Sequence, residues 1–242
     1  MRNIRLDLEY DGTDFRGWQR QPAARTVQGT LEVAIATVLR HPVAVWGCAR
    51  TDAGVHAMGY VANFHTELDV PTDRLVSGLN GCLPDDVAVT AACEAPEDFH
   101  ARFSARARRY TYRIATAPTA VWRRYTTPSR HALDADAMAA AARHLPGEHD
   151  FTSFTALANE AKPVCVVSEA IVTSEPAMIV ITVESNRFLY HMVRVIAGTL
   201  MEVGRGRIEP ERMAEVLRKR DRRAAGPTAP ASGLMLVAVR YD

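Results

Sequence analysis

The pattern of apolar residues predicts an α+β fold built from two similar halves. Three observations carry this: period-two alternation at several separated places, longer stretches with apolar residues at helical spacing, and a similar order of elements in each half of the 242 residues. No clear sequence repeat accompanies the similarity of order, so duplication rests on the pattern of elements alone.

In the first half, Asn3 to Tyr10 sets Ile4, Leu6, Leu8 and Tyr10 against Arg5, Asp7 and Glu9, the signature of a strand with one buried face. Asp11 to Gln21 is polar and glycine-containing and reads as a loop. Val27, Leu31, Ile35, Val38 and Leu39 recur at helical spacing, with Thr26 as the N-cap. Val43 to Cys48 reads as a short buried strand, Arg50 to Ala57 as a loop, Tyr60 to His65 as a strand, Thr72 to Cys82 as a helix and Val87 to Cys93 as extended.

A second cycle begins with a strand at Arg109 to Ile114, followed by a loop through Pro118 and Pro128 and an alanine-rich helix from Asp134 to Leu145. Cys165 to Thr173 and Met178 to Glu184 read as strands, Phe188 to Val203 and Pro210 to Arg220 as helices, and Leu234 to Tyr241 as the last strand. Ala224 to Ser232, rich in Ala, Pro, Gly and Thr, is too short to separate domains and reads as a surface crossing. The expected division is an N-terminal half, 1–104, and a C-terminal half, 105–242.

Charge divides the same way. Residues 1–98 carry 8 Arg and no Lys against 14 acidic residues, or −6; the remainder carries 21 basic against 14 acidic, or +7, so the second half suits a polyanion. No run of about 18 apolar residues exists to span a bilayer, and Arg2, Arg5 and Asp7 open the chain, so a soluble, cytoplasmic protein with no membrane partner is expected. Cys48, Cys82, Cys93 and Cys165 are widely separated and read as reduced, buried thiols. The eight His show no metal-ligand spacing, and neither GxxxxGK[ST] nor GxGxxG occurs, so no metal and no nucleotide cofactor is expected.

Three segments carry candidate chemistry. Arg50-Thr51-Asp52-Ala53-Gly54-Val55-His56-Ala57 presents a carboxylate flanked by a cation and a glycine; local physics fits either a turn closed by an Asx bond or a loop that brings backbone close to a ligand. Phe99 to Arg130 holds eight Arg and no acid, interleaved with Phe99, Phe103, Tyr110, Tyr112, Trp122 and Tyr125, a composition suited to unpaired RNA, where guanidinium groups meet phosphates and rings stack on bases. Tyr110, Tyr112 and Ile114 share one strand face, so Tyr110 is either core or an inward ring at a site. The third segment is the apolar helix beginning near Arg187, whose Arg194 asks for a buried carboxylate partner.

Together these segments resemble the TruA family of tRNA pseudouridine synthases. The likeness runs through Glu9-Tyr10-Asp11-Gly12-Thr13, Gly17-Trp18-Gln19-Arg20-Gln21, Arg50 to Ala57, Asp98 to Ala105, Arg108-Arg109-Tyr110, Phe151-Thr152-Ser153-Phe154, Tyr190-His191-Met192-Val193-Arg194 and Gly233-Leu234-Met235-Leu236-Val237. Ala49 stands where the family usually has Gly, and Tyr60 where Gln is usual.

The resemblance implies a pseudouridine synthase fold, in which two α/β halves form a central mixed, largely antiparallel sheet flanked by helices, with the active-site cleft between the halves. It also implies a homodimer and a cofactor-independent isomerase that flips and converts uridine at positions 38, 39 and 40 of the tRNA anticodon stem-loop. Asp52 aligns with the catalytic aspartate, Arg50 with the arginine that helps displace the target base, Tyr110 with the tyrosine that stacks on it, and Arg194 with the basic partner of the aspartate. Phe99, His100, Ala101, Arg102 and Phe103, and the loop of Glu160, Ala161, Lys162 and Pro163, correspond to tRNA-contacting stretches.

Isomerisation breaks the N1 to C1′ bond, turns the base and joins C5 to C1′, with no redox change, so it needs an ionised nucleophile, a dry pocket and a proton acceptor. Attack of Asp52 on C1′, attack on C6, and assisted departure of the base all remain open at this level. The same arginine and aromatic surface would also serve a non-catalytic RNA-binding module, in which Asp52 is dispensable.

Overall fold

The computed structural model describes residues 1–157 and 161–241. The chain divides into two compact units, Met1–Arg106 with Leu236–Asp242, and Ala107–Met235. The first unit thus runs two residues beyond the expected boundary and takes back the end of the chain.

In the first unit, β1 (Arg2–Tyr10) lies between β3 (His56–Thr66) and β4 (Val87–Ala95), antiparallel to both. Its alternation sends Ile4, Leu6 and Leu8 into a core shared with Leu31 and Ile35 of α1 (Val27–Leu39) and Leu75 and Leu79 of α2 (Thr72–Asn80). Thr26 caps α1 as expected, its hydroxyl accepting from the Gly29 N–H at 3.3 Å. The short β2 (Val45–Gly47) pairs with the far half of β3, Val45 opposite Phe64.

The strand expected from Tyr60 begins four residues earlier, at His56. Gly59 disguises it as a loop. A Cβ there would stand 2.4 Å from the Val237 carbonyl oxygen, so the glycine marks where β10 (Leu234–Arg240) comes closest to β3 rather than a chain break.

In the second unit the strand order is β5 (Ala107–Ala115), β9 (Met178–Ser185), β8 (Val164–Glu175), β7 (Gly147–Asp150), each antiparallel to its neighbour. The two-residue β6 (Thr127–Pro128) runs parallel to β5. β6 and β7 are too short to show a period, and the sequence gives no sign of them. Asp134 caps α3 (Ala135–Ala142), accepting from the Ala137 N–H. This unit also holds α4 (Met192–Gly204) and α5 (Arg212–Lys219).

Three sequence expectations are corrected here. α4 starts at Met192 rather than Phe188, because His191 takes the left-handed conformation (φ 61°) and the residues before it form a loop. Ala224 to Ser232 does not simply cross the surface. Ala229 is buried, the Gly226 N–H donates to Thr199 Oγ1 at 2.9 Å, and a Cβ on Gly198 would lie 1.8 Å from the Pro227 carbonyl oxygen, so the segment is strapped across α4. Of the four thiols only Cys48 and Cys165 are buried; Cys82 and Cys93 are exposed, on segments whose outer faces meet solvent. No helix among the described residues is long and apolar enough to cross a membrane.

Candidate active site

Residues 48–55 form the connection from β2 into β3, and the segment 10–18 holds 51–55 in place. The Trp18 N–H donates to the Thr51 carbonyl at 3.1 Å, the Gly54 N–H to the Phe15 carbonyl at 3.3 Å, and the Tyr10 and Thr51 hydroxyls share a bond of 2.8 Å. The Val55 N–H donates back to the Asp52 carbonyl at 3.2 Å, closing a turn that leaves Asp52 half-buried and Arg50 exposed. The backbone of the carboxylate-bearing residue is therefore bonded on both sides.

Two glycines make this possible. A Cβ on Gly12 would stand 2.0 Å from the Val55 carbonyl oxygen, and one on Gly17, at φ 90°, would stand 2.6 Å from the Thr51 carbonyl oxygen. The Gly12 N–H donates to Nδ1 of buried His56 at 3.1 Å, and the Asp11 carboxylate also approaches that nitrogen at 3.1 Å. Sequence reasoning placed these glycines in motifs without a role. Their signal was their position in the loop following an alternating strand.

Ala49 and Tyr60, the two internal departures from the family pattern, prove to be partners. The Tyr60 hydroxyl donates to the Ala49 carbonyl, and its ring stacks on Trp18 with centroids 4.1 Å apart. The phenol thus reaches the residue before Arg50 from beneath, and the substitutions leave the loop anchored.

In the same unit, Phe99 to Phe103 forms a turn fastened by buried Asn63, whose Oδ1 accepts from the Ala101 N–H at 2.9 Å. Phe103 stands 77% exposed with the His100 ring 4.4 Å and the Arg102 guanidinium 5.7 Å from its centroid, an uncovered ring beside a cation. His100 Nδ1 accepts from the N–H groups of Arg102 and Phe103 at 3.1 and 3.4 Å.

Burial pushes the His100 pKa below its ordinary 6.5, with the Arg102 charge acting in the same direction. A depressed pKa means that the neutral ring contributes stability fully present above 6.5 and lost as the pH falls through the lower folded value. The Arg102 and Phe103 amides are accordingly expected to lose protection from hydrogen exchange on acidification below pH 6.5, after correction for intrinsic rates. Protection independent of pH would remove His100 from this role.

In the second unit, Tyr110 on β5 is buried and meets Phe188 edge-on, with centroids 5.0 Å apart and planes at 85°. Tyr112, two residues on, donates to the Pro230 carbonyl at 2.9 Å and shares a 2.6 Å bond with Thr127 Oγ1. Burial pushes its pKa up to about 12, against the opposing influence of the Thr127 bond and the Arg194 charge, so it remains a phenol at neutral pH.

Arg194 lies in the first turn of α4, not in the helix interior, and is half-buried. A cation there opposes the helix dipole. The strap supplies acceptors: Arg194 Nε donates to the Ala229 carbonyl at 2.8 Å, and the Ala229 N–H donates to the Arg194 carbonyl at 3.0 Å. One residue thus fixes both the side chain and the backbone of the arginine.

Ala161 and Lys162 are exposed and Pro163 is half-buried; the Lys162 carbonyl accepts from Arg187 at 2.8 Å. Glu160 lies outside the described residues. The acid-free arginine stretch is also less free than its sequence implies, because Arg109 reaches Glu184 at 3.0 Å and Glu169 at 2.9 Å on neighbouring strands. Asp52, Arg50 and the Phe99 turn belong to the first unit, and Tyr110 and Arg194 to the second.

A family model described as tRNA pseudouridine synthase matches residues 8–104 and 141–242. The chain belongs to that family. It is 43% identical over 244 residues to tRNA pseudouridine synthase A of Acetivibrio thermocellus, 46% identical over 244 residues to that of Pelobacter propionicus, and 42% identical over 245 residues to that of Ruminiclostridium cellulolyticum, with all of each chain covered. As a tRNA pseudouridine synthase the protein is an isomerase that converts uridine to pseudouridine in tRNA, and tRNA is its substrate.

Proposed function

We propose that Asp52 is the catalytic nucleophile of this isomerisation and that the uridines acted on are those at positions 38, 39 and 40 of the anticodon stem-loop. The observation that carries the reading is the fixation of residues 51–55 by Tyr10, Phe15 and Trp18, which holds one half-buried carboxylate on a backbone bonded from both sides. Its charge acts at sugar C1′ or uracil C6, or assists departure of the base, while the N1 to C1′ bond breaks and C5 takes the place of N1. An ionised carboxylate in a water-excluding pocket needs a counter-charge, and we assign that role to Arg194, held by the Ala229 carbonyl.

Arg50, exposed at the start of the loop, offsets the cost of drawing the target uridine out of its stack, a few kcal/mol, by occupying the vacated space or holding the phosphate. Tyr110 stacks on the flipped uracil, and its hydroxyl is the candidate acceptor of the C5 proton, passing its own proton to solvent as it takes that one. The Phe99–Phe103 turn and the Glu160–Pro163 loop contact the RNA outside the target. The protein works in the cytoplasm as a homodimer, with residues 1–104 carrying the aspartate and 105–242 its counter-charge and the excess of positive charge.

The test uses anticodon stem-loop transcripts that keep uridine at one of the three positions at a time, with pseudouridine detected by mass-resolved nucleoside analysis. Product from each of the three is expected; product only from uridines elsewhere in the tRNA rejects the assignment. Tyr110→Phe separates the two roles of the ring: tRNA affinity is retained and turnover falls at least tenfold if the hydroxyl takes the proton, whereas unchanged turnover leaves stacking as its only role.

A further inference from the structure

Most of the acid-free arginine stretch is unused by this mechanism, and part of it lines a cavity of about 340 Å³ in the second unit. Arg113, Thr119, Trp122, Glu175, Pro176 and Met178 are among its walls. Arg113 shares a β5 face with Arg109 and Thr111, opposite the face of Tyr110 and Tyr112, so the cavity is separate from the pocket assigned to the target uracil.

The loop that forms one wall is built rather than loose. The Trp122 N–H donates to Thr119 Oγ1 at 3.1 Å, and the Trp122 carbonyl accepts from the Tyr125 N–H and the Thr126 hydroxyl, both at 2.9 Å. Opposite it, the Thr116 N–H donates to the Ala177 carbonyl at 3.0 Å, tying the loop to the β8–β9 turn. These bonds hold Trp122, 47% exposed, at the cavity wall.

Arg113 is the anomaly. Its guanidinium is half-buried, yet among the described residues its one hydrogen-bond acceptor is the sulfur of Met235, at 3.3 Å. Burial lowers its pKa, with Glu175 acting against the shift. A guanidinium has five donors in a planar fork; among the described residues no Arg113 nitrogen is both buried and unpartnered, so the donors that Met235 does not meet face the open cavity, where a planar acceptor edge satisfies them together.

We infer that this cavity binds an unpaired guanine of the tRNA substrate, stacked on Trp122 with its O6 and N7 edge toward Arg113 and its N1 and N2 donors toward Glu175. Guanine alone among the four bases offers a paired acceptor edge for arginine together with adjacent donors for a carboxylate. The volume is in the range of sites for molecules of this size, and a flat ring against a half-exposed indole is how unpaired bases are usually held. The neighbouring Arg123 and Arg124, one of them bonded back to the Ala120 carbonyl, place positive charge where the nucleotide's phosphate would run. The family model passes over residues 105–140, so Arg113, Thr119 and Trp122 lie outside its matched segments.

The experiment titrates the full-length protein with guanosine 5′-monophosphate by calorimetry, with the adenosine and uridine monophosphates as comparisons. Guanosine monophosphate is expected to bind at least fivefold more tightly than either. Trp122→Ala and Arg113→Met should each weaken it at least fivefold, and Trp122→Ala should raise the KM for full-length tRNA by a similar factor. Equal affinity for the three nucleotides, or affinity indifferent to both substitutions, overturns the inference. A change in sedimentation of either variant without loss of nucleotide affinity would overturn it as well, assigning the cavity to a second copy of the chain. None of these results depends on Asp52, so the inference and the nucleophile assignment fail separately.

Discussion

Asp52→Asn is expected to abolish pseudouridine formation, a loss of about 10⁴-fold or more by comparison with removal of nucleophiles elsewhere, while tRNA affinity stays the same or tightens. The amide keeps the shape of the side chain and the backbone bonds that pin residues 51–55, since those bonds use main-chain atoms of Asp52 and its neighbours. What it removes is the negative charge, the one property a nucleophile of this kind cannot lack. Tighter binding is the direction expected when a carboxylate beside a polyanion is neutralised. Product is read by mass-resolved nucleoside analysis and affinity by filter binding. Retained turnover removes Asp52 from the chemistry, and tRNA binding without product in the parent protein as well would favour an RNA-binding module.

Gly12→Ala is expected to cost about 2 to 3 kcal/mol of stability and about 10² in turnover, although Gly12 bears no reactive group. Its Cβ would meet the Val55 carbonyl oxygen at 2.0 Å, and both atoms belong to backbone that cannot swing aside like a side chain. Relief requires the 10–18 segment and the 51–55 loop to part, which loosens the Gly12 to His56 bond and displaces Asp52. Gly206→Ala is the matched control. Unlike Gly12, that glycine has positive φ, at 69°, and nothing is found within 4 Å of its Cβ position, so backbone strain of about 1 kcal/mol without crowding is expected. Thermal melts and initial rates on the two variants distinguish crowding from strain; equal effects on turnover would refute the role of the close approach.

The tertiary structure also changes how the arginines are understood. By sequence, Arg194 sits within an apolar helix and asks for a carboxylate, whereas the fold places it in the first helical turn and answers part of the demand with the Ala229 carbonyl. Arg109, counted among cations free for RNA, is held by Glu184 and Glu169 across the sheet. Arg113 is in the same composition run, and among the described residues its one hydrogen-bond acceptor is a sulfur. Three arginines within one chain thus have three different electrostatic settings, and nothing in their local sequence separates them.

What the sequence by itself determined was whatever repeats over a short distance. The alternation of Ile4, Leu6, Leu8 and Tyr10 requires one buried face, the spacing of Val27, Leu31 and Ile35 requires a helix, and Thr26 begins that helix by capping it with its own side chain. The motif around Asp52 and the order of its companions were enough to suggest the family. Only the tertiary structure decided what depends on residues far apart in the chain: the start of β3 at His56 across Gly59, the two-residue β6, the strap over Gly198, the pairing of Ala49 with Tyr60, and the cavity at Arg113. Periodicity is set by local geometry and is therefore written in neighbouring residues. Close approach and charge compensation are set by which distant backbones pack together, and a glycine or an arginine looks the same in sequence whichever partner the fold brings to it.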